Sequence, residues 1–175
     1  FAAQGTWTTD HTGGGASTFG GTGLILNATN RGGVPRVLQE VTVAGADQGD
    51  EHTLVINVTR GPVTFRVGST SGGDQYVTET ELRTGRHRLA FTPSGNFFVL
   101  FESDLQVDRI VASCIVTTDA TFEMTAPWAE EDLPKLRWTQ SADVVFVACE
   151  GYKQRRIERR GTGRSWCIVE YDAND

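Results

Sequence analysis

Glu51–Ser69 reads EHTLVINVTRGPVTFRVGS, and its pattern decides the fold class. Leu54, Ile56 and Val58 fall on one side of an extended chain. Gly61-Pro62 interrupts the run, and Val63, Phe65 and Val67 then resume it against Thr64 and Arg66. Alternation with a period of two marks a strand with one face on a core. Glycine and proline between two such runs mark a turn.

The same pattern extends in both directions. RVLQEVTVAG aligns Val37, Gln39, Val41 and Val43, and GRHRLAFTP aligns His87, Leu89 and Phe91. NFFVLFES alternates Phe97, Val99 and Phe101 against Phe98 and Leu100. QVDRIVASCIV sets Ile110, Ala112, Cys114 and Val116 on one side. Several short strands with Gly and Pro punctuation predict an all-β chain whose residues 24–117 form a β-sandwich of the jelly-roll kind. Residues 1–23 read as a loop-rich opening segment, and 118–126 as a polar, extended connector.

Residues 127–175 change character. APWAEEDLPKL suits one helical turn, its acids at the N-terminal end. RWTQSADVVFVAC places Val145, Val147 and Cys149 on one face and Val144, Phe146 and Ala148 on the other. YKQRRIERR and RSWCIVEYD follow, joined by GTG. The three runs predict a small antiparallel sheet. Such a sheet is marginal alone in water, so it must pack on the sandwich or belong to a larger β domain.

Composition narrows function. The chain has 175 residues and a net charge of −6, which argues against general nucleic-acid binding. Cys114, Cys149 and Cys167 show no CxxC spacing and read as buried thiols. A Cys149–Cys167 pair on neighbouring strands is the alternative. No apolar run reaches the length of a membrane helix. The first residue is Phe1 rather than Met, which suggests a piece of a longer protein. Asn27-Ala28-Thr29 and Asn57-Val58-Thr59 fit the glycosylation triplet.

Catalytic motifs are missing from the sequence: there is no GxSxG, HExxH or phosphate loop, and the acids lie mostly in turns or on polar faces. No catalytic residue is nominated, and the chain reads as a non-enzyme. Asp104 and Asp108, flanking the start of a strand, are candidate ligands for a structural calcium ion, and no other cofactor is implied. Trp7, Phe19 and Tyr76 are the candidate aromatics for a ligand such as a sugar. His87 reads as a packed strand residue. Lys153, Arg155, Arg156, Arg159, Arg160 and Arg164 form the strongest local run of charge, suited to a solvated face or an acidic neighbour.

Two resemblances follow from these residues. Residues 35–117 resemble the jelly roll of carbohydrate-binding modules. The match runs through Gln39 and Val41, then Gly85, His87 and Phe91, then Asp108. It implies a sandwich fold and, as one function, recognition of a surface or polysaccharide glycan. Residues 127–171 are similar to a segment of tailed-bacteriophage tail proteins of the nozzle or hub type. Pro127, Trp128, Glu130, Asp132, Leu133, Leu136, Arg137, Trp138 and Gln140–Val144 carry the match. Tyr152, Arg156, Arg159, Trp166 and Ile168 continue it. Here the usual proline after the tyrosine is replaced by Lys153-Gln154.

This second resemblance implies a non-enzymatic virion protein of a phage or prophage tail. Its partners would be other tail proteins or copies of itself, with no sequence-specific nucleic acid and no membrane. The final strands would be part of a sheet that neighbours complete, with Phe146, Arg156, Arg159 and Trp166 as the interaction surface.

Overall fold

The computed structural model describes residues 5–117 and 123–171. Residues 118–122 of the expected connector, and 172–175, lie outside the described residues. Among the described residues there are fourteen strands. They are β1 (Thr8–Thr9), β2 (Gly15–Gly20), β3 (Gly23–Ala28), β4 (Arg36–Val41), β5 (His52–Arg60), β6 (Val63–Gly68) and β7 (Val77–Leu82). There follow β8 (Gly85–Phe91), β9 (Phe97–Glu102), β10 (Arg109–Thr117), β11 (Arg137–Ser141), β12 (Val144–Ala148), β13 (Arg155–Arg159) and β14 (Trp166–Glu170). Short 3-10 turns cover Gly45–Asp47 and Glu130–Lys135.

The strands form two antiparallel sheets packed as a sandwich. One runs β1-β4-β9-β6-β7, and the other runs β11-β12-β13-β14-β8-β5-β10-β3-β2. The alternating residues read from the sequence meet between them. Leu54, Ile56, Val58, Val63, Phe65 and Val67 are all buried, as are Leu89, Phe91, Phe97, Val99 and Phe101. Phe65 and Phe101 lie 4.9 Å apart, and Phe91 meets Phe97 edge-on at 5.0 Å. Each such ring contributes roughly 1.5–3 kcal/mol by leaving water. His87 is buried as expected, its Nε2 2.8 Å from the Arg83 carbonyl.

Four expectations need correction. The opening segment is not loop throughout. Its Gly-rich stretch forms β2, paired with β3 from Gly15↔Ala28 to Gly20↔Gly23. In β10 a register shift between Val111 and Ser113 breaks the simple alternation. Val111 therefore enters the core in place of Ile110 and Ala112, while Cys114 still packs on it. The run 137–149 is two strands, because Ala142-Asp143 turns the chain with Ala142 in the left-handed region, φ 49°. The three cysteines are free, as the thiol reading expects, and β13 separates the strand that precedes Cys149 from the one that carries Cys167.

The final strands do not stand as a separate sheet. β14 pairs with β8 from Trp166↔Arg88 to Val169↔Gly85, so β11–β14 extend the larger sheet of the sandwich. Gly85 permits this close approach. Its φ is +146°, and a Cβ there would sit 2.3 Å from the Ile168 carbonyl oxygen and 2.6 Å from the Val169 Cα. Across the junction, Arg160 donates to the Thr80 hydroxyl and the Glu81 carbonyl of the opposing sheet, each at 3.1 Å.

Candidate functional site

Burial falls from the inner to the outer end of the extension. Cys167 and Val169 of β14 are fully buried, Val144 and Phe146 of β12 are half-buried, and every residue of β11 is exposed. β11 ends the sheet and has one paired neighbour, β12, among the described residues. Its outer edge therefore presents backbone donors and acceptors that a further strand can pair with.

Local contacts fix this edge in place. Before β11, the 3-10 turn Glu130–Lys135 is tied down by Tyr152, whose hydroxyl donates to Asp132 at 2.8 Å and accepts from the Ala129 N–H at 3.2 Å. Hydrogen bonds from Lys135 and from Tyr152 hold the Asp132 carboxyl below its ordinary range. After β11, the Ala142-Asp143 turn is braced by Arg159, 3.0 Å from Asp143.

Both faces of the edge carry apolar surface. Thr139 pairs with Phe146 and Trp138 pairs with Val147, so strand alternation turns Trp138 away from Phe146. Trp138 is 69 % exposed. On the other face Phe146 meets Tyr171 edge-on at 5.5 Å, and the Arg156 guanidinium lies 5.6 Å from the Tyr171 ring centre. Phe146 and Tyr171 border a cleft of about 450 Å³ that Trp138, Thr139, Gln154 and Arg155 also line. Tyr171 is 54 % exposed.

The expected interaction residues are thus divided. Phe146 and Arg156 are cross-strand partners and share a face. Arg159 pairs with Trp166 and lies three residues from Arg156, so both belong to the opposite face. Trp166 donates its indole N–H to the Gly163 carbonyl at 2.9 Å. The basic run is largely matched by acids: Arg155 and Lys153 flank Glu170, and Arg156 and Arg160 flank Glu158. Trp138, Thr139 and Tyr171 were not among the nominated surface residues. Only the edge position of β11 singles them out.

The other nominated residues sit elsewhere. Trp7, Phe19 and Tyr76 all pack on the core instead of forming a platform. Trp7 lies 5.8 Å from Phe101, and Tyr76 stacks on Phe91 at 5.7 Å with its hydroxyl 3.1 Å from Ser94. The two calcium candidates face different neighbours. Asp104 borders a groove with Glu79 and Glu81, whereas Asp108 accepts from the Asn27 amide. Among the described residues, no group of three or more His, Cys, Asp or Glu is arranged to hold a metal ion. No helix among the described residues is long and apolar enough to cross a membrane.

No protein-family model matches the chain, and no curated protein matches it.

Proposed function

We propose that this chain is a non-enzymatic architectural part of a bacteriophage or prophage tail. Its C-terminal extension docks a β-strand of a neighbouring tail subunit. The observation that carries the docking mode is the β11 edge, unpaired on its outer side among the described residues and bordered by Trp138, Phe146 and Tyr171. An added strand sends alternate side chains to both faces. It would cover Trp138 together with Phe146 and Tyr171 while pairing with the free backbone of β11. The phage assignment is supported by the similarity of residues 127–171 to tail proteins, and the virion would be its location.

The sandwich itself is assigned as a jelly roll. Support comes from the strand order: β3, β10, β5 and β8 form one four-stranded block and β4, β9, β6 and β7 the other. Its resemblance to carbohydrate-binding modules is one of fold, and a fold does not carry a ligand. Trp7, Phe19 and Tyr76 are partly buried against the core, which favours the architectural reading over glycan recognition.

The docking mode is tested with the parent protein carrying Trp138→Asp, compared with Arg31→Asp on an exposed turn. Incorporation into purified particles is expected to fall sharply for the first and to stay normal for the second. Equal incorporation of both would overturn docking at β11.

A further inference from the structure

On the face of the extended sheet opposite Phe146 lies a second cavity, of about 270 Å³. Strand register builds it. Arg86 of β8 is the cross-strand partner of both Asn57 in β5 and Ile168 in β14, and Arg155 of β13 is the partner of Glu170. Ile168 is buried and gives the cavity an apolar floor, while Thr125–Pro127 close one side. The cavity is too small for a large ligand but suits one small molecule.

The polar groups around it have unused capacity. Arg86 is exposed, and its side chain makes no hydrogen bond or ion pair among the described residues. The Asn57 amide is likewise without a side-chain partner, and the Arg155 Nε–H is buried and donates to nothing. Arg155 places its other nitrogen 3.3 Å from Glu170, but Glu170 also serves Lys153 at 2.6 Å. Lys153 and Arg155 thus flank one carboxylate, and Arg86 lines the same cavity as Arg155 and Glu170. The lining, two arginines against one glutamate, keeps a net positive charge in a chain whose net charge is −6. Unused guanidinium and amide donors converging on a concave, partly apolar site match an oxyanion, because planar arginine forks pair with carboxylate or phosphate oxygens.

We propose that this cavity binds the carboxylate or phosphate group of a small anionic ligand. Arg86 and Arg155 would hold the charge, Asn57 would donate a hydrogen bond, and Ile168 would face the ligand's apolar side. Arg155 also lines the cleft beside β11, whereas Arg86 and Asn57 belong to this cavity alone, so they carry the test.

The test is calorimetric and NMR titration of the protein at low ionic strength with two probes, inorganic phosphate and glucuronate. At least one probe is expected to saturate a single site and to shift the amides of β8 and β14. Arg86→Ala should weaken it at least tenfold, and Asn57→Asp, which adds a negative charge beside the site, should do the same. Arg31→Ala should leave it unchanged. Tighter phosphate would identify a phosphate or phosphate-ester site, and tighter glucuronate a site for a sugar acid. Failure of both probes to saturate in the millimolar range would overturn the proposal. So would undiminished binding to a folded Arg86→Ala protein.

Discussion

Gly85→Ala tests how the last four strands are held. The residue sits at the pairing of β14 with β8, at φ +146°, where an L side chain is strained. That strain costs about 1–3 kcal/mol. The new methyl would also meet backbone, 2.3 Å from the Ile168 oxygen and 2.6 Å from the Val169 Cα, and backbone cannot rotate aside as a side-chain tip does. β14 must shift away, weakening one or two ladder bonds worth about 1 kcal/mol each. The sum is about 2–5 kcal/mol, a large part of the roughly 5–15 kcal/mol that holds a domain folded. Urea unfolding followed by tryptophan fluorescence measures the loss, and hydrogen exchange locates it in β13 and β14. Gly95→Ala is the control, because a Cβ there meets nothing within 4 Å. It should change stability by less than about 0.5 kcal/mol. A Gly85→Ala protein as stable as the control, with β14 still protected, would refute the β8–β14 junction.

Other outcomes follow from the same structure. Arg160→Ala removes the bonds to Thr80 and Glu81 and the ion pair with Glu158, so it should cost about 1–2 kcal/mol in urea unfolding. A neutral effect would deny it a role in joining the sheets. Burial pushes the Cys114 thiol up to about 12 from 9.0 and raises that of Cys167 as well. Both should therefore resist a thiol reagent at pH 8 until the protein unfolds. For these raised thiols the stabilising contribution is complete below the unfolded value near 9 and is lost as pH climbs toward 12. Melting temperature should thus decline through that alkaline window, and less so in Cys114→Ala if the substitution leaves the fold intact.

How far the sequence reached depends on the range of the interaction. Alternation is local, so Leu54 to Val67 and His87 to Phe91 could be placed on the core from spacing alone. The shift in β10 was invisible because Ile110, Val111 and Ala112 are all apolar enough to face inward, and only the partners in β3 and β5 decide which does. The turn at Ala142-Asp143 was hidden for a similar reason: alanine carries no turn signal, and its left-handed backbone follows from the hairpin around it. The β14–β8 pairing joins residues some eighty positions apart, beyond any local pattern. Choosing aromatics by residue type also misplaced the surface, since Trp7 and Tyr76 fold onto Phe101 and Phe91 while Trp138 stays in solvent.

The most direct test of the central claim is immunogold electron microscopy of purified, induced phage particles, using antibody raised against this chain. The tail reading predicts gold at the tail, on intact or partly disrupted particles. Unlabelled particles, with the protein recovered elsewhere in the culture, would contradict it.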